Sequence, residues 1–205
     1  QNCISAIKIL NVHIFILALF PFTHSLMYAE FSICLKDCVV VIAETSRLRI
    51  RHLTAADAAF TCTLLNDPSF INNIADRGVR SEIDALHYLA EGPIKSYQQY
   101  GYGLFMVEEN ASGAPLGFCG LLYRDYLHET DIGFAFMPQF WGNGYAVEAA
   151  SAVLHFGYDK LQLKRIVGLV SAGNTASIKV LTKIGLTFEK MVQMQPSNDY
   201  VQLFS

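Results

Sequence analysis

The sequence lacks a surplus of positive charge: 15 lysines and arginines stand against 18 aspartates and glutamates, a net charge of −3 with histidine neutral. That balance gives no electrostatic footprint for nucleic acid, and short basic pairs such as Lys164-Arg165 are too small to reverse it. A cysteine framework is missing as well. The five cysteines, at 3, 34, 38, 62 and 119, are odd in number and irregular in spacing. They read as ordinary buried or free thiols in a reducing cytosol rather than as disulfides. No histidine or cysteine follows Cys34 and Cys38 at metal-ligand spacing, so no metal site is expected. Nor does any apolar run reach the ~20 residues of a membrane span. The densest, Ile14 to Phe22 (IFILALFPF), leaves three readings open: a secretory signal with Thr23-His24-Ser25 as a poor cleavage site, an anchor, or upstream sequence that is not native. The last is favoured because the chain begins with Gln1 and its first methionine, Met27, is a possible initiator. Residues 1–38 are accordingly set apart as an N-terminal appendage, and no membrane partner is expected.

What is present is enough for one domain. The chain has 205 residues, 52% of them apolar and 16% charged, which places it on the hydrophobic side of globular proteins and far from disorder. From Val39 onward the pattern is orderly. Val39 to Ile42 and Leu48 to Leu53 read as strands, the second alternating apolar and polar. Thr54-Ala-Ala-Asp57 has the form of a capping box opening a helix that Asp67-Pro68 is expected to stop. A second helix starts at Ser81, and Gly92-Pro93 breaks or kinks it, with a short helical continuation expected to Tyr100. Strands follow at Gly103 to Val107, Leu116 to Tyr123 and Asp131 to Met137. The first two are joined by the hairpin loop Glu109 to Pro115. Next come a glycine loop, a helix from Gly144 to Lys160, a strand at Arg165 to Ser171, and a helix from Thr175 to Ile184. That helix has Asn174 at its N-cap and Gly185 just past its end. Leu186 to Met194 and Tyr200 to Phe204 close the sheet. Strands first and then strand–helix–strand–helix predict a mixed α/β domain over 39–205.

The glycine loop, Gln139-Phe-Trp-Gly-Asn-Gly144, lies between a strand and a helix. The helix start leaves several backbone N–H groups unpaired and carries partial positive charge, so an anion is its natural ligand. A phosphate is held in such a nest by backbone donors alone. No Lys-Ser/Thr follows the glycines, which excludes a P-loop, and Val147 stands where a dinucleotide fingerprint needs its third glycine. A plain structural turn remains the alternative at this point.

Two segments carry a resemblance. FWGNGYAVEA (Phe140 to Ala149), with Gln139 ahead of it, and NTASIKVLTKIGL (Asn174 to Leu186) resemble motifs of the GNAT superfamily of N-acetyltransferases. ETSRLRIRHLTAADA and DIGFAFMPQFWGNGYA look like its Rim-type, ribosomal-protein N-terminal acetyltransferase branch. The likeness runs in order from about Ile42 to Glu189. It implies a mostly antiparallel twisted sheet flanked by helices on both faces, acetyl-CoA as acyl donor and no metal. It also implies a primary amine as acceptor, either a peptide N-terminus or a small amine, with antibiotic- or polyamine-like amines among the alternatives. By the same resemblance, Trp141, Gly142, Asn143, Gly144, Tyr145 and Ala146 would face the diphosphate, with Gln139 at the loop's mouth. Phe134, Ala135 and Phe136 would pair with the pantetheine arm, and Asn174 would bond an amide of that arm near the thioester.

The chemistry implied is direct attack of a neutral amine on the thioester. An α-amine with a pKa of about 7.7–8.0 needs only a modest base, and a lysine near ~10.4 needs more help. Asp131 is the first candidate base, where related proteins often carry Glu; Glu129 and His128 are nearby rivals. Backbone N–H groups around Phe136 are candidates for steadying the oxyanion. Part of the family uses a tyrosine seven residues after the motif asparagine to protonate the leaving thiolate, but Leu181 stands there. Ser177 is the expected substitute; its alternative is a helix hydroxyl bonded to its own backbone. A protein that binds acyl-CoA without catalysis is the competing class. The expected state is a cytoplasmic monomer or homodimer.

Overall fold

The structure, a computed structural model, describes residues 39–195 and 197–205; the Ile14–Phe22 run and the appendage lie outside them. Eight strands form one sheet in the order β1-β2-β3-β4-β5-β6-β8-β7. They are β1 (Val41–Glu44), β2 (Leu48–His52), β3 (Leu104–Glu109), β4 (Pro115–Arg124), β5 (Glu129–Phe136), β6 (Ile166–Val170), β7 (Phe188–Gln193) and β8 (Tyr200–Phe204). Every neighbouring pair is antiparallel except β5 and β6. The α-helices are α1 (Ala58–Leu65), α2 (Pro68–Asn73), α3 (Glu82–Leu89), α4 (Lys95–Tyr100), α5 (Tyr145–His155) and α6 (Thr175–Lys183). No helix among the described residues is long and apolar enough to cross a membrane.

Alternation along the central strands splits the core between the two faces of the sheet. Phe105, Val107, Cys119, Leu121 and Ile132 pack with Ala149, Ala150 and Val153 of α5. Met106 and Phe118 pack on the other side with Leu64 and Leu65 of α1 and Ala85 and Leu89 of α3. Each large apolar side chain buried this way contributes about 1.5–3 kcal/mol.

The expected elements are present with one difference of substance. Asp67-Pro68 ends α1 but also begins α2. The Asp67 carboxylate accepts the Ser69 N–H at 2.8 Å, and Pro68 takes the first helical position, where a missing N–H costs nothing. Pro93 interrupts the helical run without ending it, in keeping with the expected kink and continuation to Tyr100. A wide turn over Ala90–Ile94 absorbs it, and α4 continues to the left-handed Gly101.

Thr54 and Asp57 do form the expected cap, with the Thr54 N–H 2.7 Å from Asp57 Oδ2. Asp57 has a second task that its spacing did not disclose. Arg51 of β2 donates through Nη1 and Nη2 to its two oxygens at 2.9 and 2.8 Å, and through Nε to Glu108 of β3 at 2.8 Å. Burial alone would raise the Asp57 carboxyl; the bonds from Arg51 and Thr54 outweigh it and hold the group below its ordinary 3.8. This knot ties α1, one wall of the cleft described below, to the sheet. Arg51→Ala leaves two largely buried carboxylates facing each other and is expected to cost about 3–5 kcal/mol, with the melting temperature falling by roughly 10 °C. Because Asp57 is depressed in the fold, its stabilisation is full above pH ~4 and fades below it. Thermal melts of the two proteins should therefore converge as the pH falls under 4; a gap independent of pH would refute the assignment.

Candidate active site

The site begins where two strands part. β5 and β6 run parallel and pair only at Thr130–Ile166 and Asp131–Val167. Past that point β5 keeps β4 on one side and, among the described residues, has no strand on the other. The Met137 N–H bonds the Leu116 carbonyl at 3.0 Å, and the β4–β5 register is unbroken. Antiparallel alternation then turns the main-chain groups of Phe134 and Phe136 away from β4, into the gap. The Trp141 indole N–H occupies the Phe136 carbonyl at 2.8 Å. Both groups of Phe134 and the Phe136 N–H are left on the open edge.

Asp131 stands at the fork itself. Its carboxylate accepts Arg124 Nε and Nη2 at 3.0 and 2.7 Å and the Leu169 N–H at 3.1 Å. Leu169 lies where β6 no longer has a β5 ladder partner, so the side chain stands in for the missing acceptor. Only 3% of Asp131 is exposed. Burial pushes its carboxyl upward while Arg124 and the Leu169 N–H pull the other way, the net shift being upward. The two rivals are also placed elsewhere. Glu129 is paired with Arg165 at 3.0 Å, and His128 occupies a positive-φ turn position.

The glycine loop crosses the end of β5. Gly142 and Gly144 have φ of +82° and +81°, the left-handed region that side chains with a Cβ resist. Those two bends carry the chain from the turn at Pro138–Phe140 into α5 with its amides turned outward. The first helical bond runs from the Glu148 N–H to the Gly144 carbonyl. Among the described residues no acceptor takes the N–H groups of Gly142 through Val147. Opposite, Asn174 caps α6 through Oδ1, which accepts the Ser177 N–H at 3.0 Å. Neither the Asn174 amide nitrogen nor the Ser177 hydroxyl has a partner among the described residues. The expected alternative, a Ser177 hydroxyl bonded to its own helix, is therefore not seen.

These parts surround one cleft of about 520 Å³. Of the residues expected at the site, Phe134, Ala135, Phe136, Trp141, Gly142, Gly144, Tyr145, Ala146, Asn174 and Ser177 line it. Gln139, Asn143 and Asp131 do not. Gln139 sits exposed on the turn, and the Asn143 carbonyl is bonded to Arg47 on the outer side at 3.0 Å. Sequence reasoning missed Lys179 and Lys183 on α6, although their i, i+4 spacing with Asn174-Thr175 was legible. The facing wall comes from the first helix and the segment after it, through Leu64, Ser69, Phe70, Asn73 and Ile74, stretches whose sequence carries no recognisable substrate code. No aspartate, glutamate or histidine among the described residues lines the cleft. Among the described residues, no cluster of three or more His, Cys, Asp or Glu is placed to hold a metal.

Comparison with known proteins agrees with this geometry. The family model for the acetyltransferase (GNAT) domain matches residues 47–187. An uncharacterized protein of Bacillus subtilis (strain 168), YkkB, is 32% identical over 152 residues, 73% of this chain and 87% of that protein. The crystal structure of a GNAT-family acetyltransferase from Bacillus anthracis superposes with a TM-score of 0.65 at 25% identity, covering 81% of this chain and 95% of the other. RimL, a ribosomal L7/L12 alpha-N-protein acetyltransferase solved with coenzyme A, has the same fold. Its TM-score is 0.69 at 16% identity, over 80% of this chain and 96% of that one. The parted strands, the glycine loop and the family match together make this chain a member of the GNAT acetyltransferases, an acyltransferase whose donor is acetyl-CoA.

Proposed function

We propose that this enzyme moves the acetyl group of acetyl-CoA onto a primary amine of low pKa, a peptide N-terminus or a small amine, by direct attack. The observation carrying the reading is the single cleft in which unbonded N–H groups of Gly142 to Val147 face the open edge of β5. The diphosphate sits on the amides at the start of α5, where the helix end favours an anion. The pantetheine arm lies along Phe134 to Phe136 as an added strand, bonded to main-chain groups. That lay-out brings the thioester towards Asn174 and Ser177. The amine nitrogen bonds to the carbonyl carbon, the C–S bond breaks, and coenzyme A leaves as a thiol.

The lining supports an acceptor that arrives uncharged. With no carboxylate or imidazole lining the cleft among the described residues, these residues offer no side-chain base to an ammonium ion and no anion to a polycation. Asp131 is buried and already carries three hydrogen bonds, so we assign it the upkeep of the strand fork rather than the proton. The amine loses its proton to solvent. Ser177 offers its hydroxyl to the departing sulfur, a modest service because a thiol with a pKa of ~8.5 leaves readily. Ser177→Ala should lower kcat by less than about tenfold.

Gly144→Glu forces a side chain onto a left-handed backbone, with its Cβ 3.6 Å from Arg47 Nη2, and so disturbs the bend that aims the loop's amides. Calorimetry should detect no acetyl-CoA binding by this variant while circular dichroism still reports a folded protein; an unaltered affinity would remove the loop as the diphosphate seat. Turnover should track the acceptor's own ionisation, with kcat/KM half-maximal near pH ~7.7–8.0 for a peptide N-terminus and near ~10.4 for a lysine side chain. Asp131→Asn should leave the shape of that curve alone. A lower ionisation common to several acceptors, present in the wild type and lost in Asp131→Asn, would restore Asp131 as the base.

A further inference from the structure

Arg47, in the turn between β1 and β2, is outside the cleft lining, yet its guanidinium is engaged with the glycine loop and the helix behind it. Nε and Nη2 lie 2.7 and 2.6 Å from Glu148 Oε2. Nη1 donates to the Asn143 carbonyl at 3.0 Å, and the main-chain N–H reaches Glu148 Oε1 at 3.2 Å. The guanidinium carbon rests 4.6 Å from the centre of the Tyr145 ring. The Thr45 hydroxyl donates to Glu148 Oε1 at 2.6 Å.

Two consequences follow from this geometry. In a trans peptide the C=O and the next N–H point in opposite directions. Holding the Asn143 carbonyl on the outer side therefore aims the Gly144 N–H at the other side, and Gly144 lines the cleft while Asn143 does not. The second concerns charge. Glu148 lies in the first turn of α5, the helix end at which an anion is to bind, and a loose carboxylate there would repel a diphosphate. Burial raises the Glu148 carboxyl, but the bonds from Thr45 and Arg47 outweigh it and hold the group ionised on the outer side.

We infer that Arg47 is a positioning residue for the donor: from behind the loop it turns the Gly144 amide towards the diphosphate and neutralises Glu148, setting the enzyme's affinity for diphosphate-bearing donors without touching them. This rests on the diphosphate seat proposed above.

The test compares coenzyme A with pantetheine, which lacks the diphosphate, by calorimetry on the full chain. Arg47→Ala should weaken coenzyme A about tenfold or more, the usual scale for losing charge-assisted bonds, and leave pantetheine unchanged. Adding Glu148→Gln to Arg47→Ala should recover a clear part of the loss, because the exposed repulsion goes with the charge. Normal coenzyme A binding by Arg47→Ala, an equal loss for both ligands, or no recovery in the double variant overturns the inference. If Arg47→Ala melts below the assay temperature, Arg47→Gln keeps a donor for the Asn143 carbonyl without the charge and carries the same comparison. A wild type that binds coenzyme A no better than pantetheine would instead sink the diphosphate seat itself.

Discussion

The parting of β5 from β6 is the constraint on which the rest of the architecture depends. A parallel pair that stayed zipped would bury the main-chain groups of Phe134 and Phe136 in a ladder and leave no room for a ligand. Here pairing stops at Asp131–Val167, and the sheet accepts a row of unpaired polar groups on an interior edge. Unpaired backbone in such a place is costly unless something takes it up. At the fork the Asp131 carboxylate does so for Leu169, and at the far end the Trp141 indole does so for Phe136. Between the two, the open edge is the part with the form of a binding strip.

The proposed anion end follows the same economy of means. Two lysines line the cleft, on α6, but the loop itself offers backbone amides. Its arginine faces backwards, on the outer side, and is spent on Glu148 and Asn143. Charge is used to shape the backbone, and the backbone offers the field. The turn between β1 and β2, the loop and α5 share one hydrogen-bonded cluster around Glu148.

Features with a local signal were legible in the sequence. The glycine loop, the Asn174 cap, the Thr54–Asp57 cap and β8 over Tyr200–Phe204 all depend on residues within a few positions of one another, and the structure has them where the sequence put them. The pairing partners were not legible. Asp131 meets Arg124 across the turn at 125–128 and Leu169 from another strand. Arg47 meets Glu148 from 101 positions away. Nothing in spacing reports such meetings, so Asp131 read as a candidate base. Asp67-Pro68 misled for a different reason. The same two residue types stop one helix and start the next, and only the chain's path tells which.

The order of strands carries a consequence for synthesis. β6, the outer arm of the fork, gains its second neighbour only from β8, about thirty positions further along the chain. At translation speeds of roughly 5–20 residues per second, a nascent chain that has already made the glycine loop and α5 must wait with its outer arm held on one side only. During that interval the cleft has a single firm jaw, and a donor molecule that settled there early would be joining the fold as one of its scaffolds.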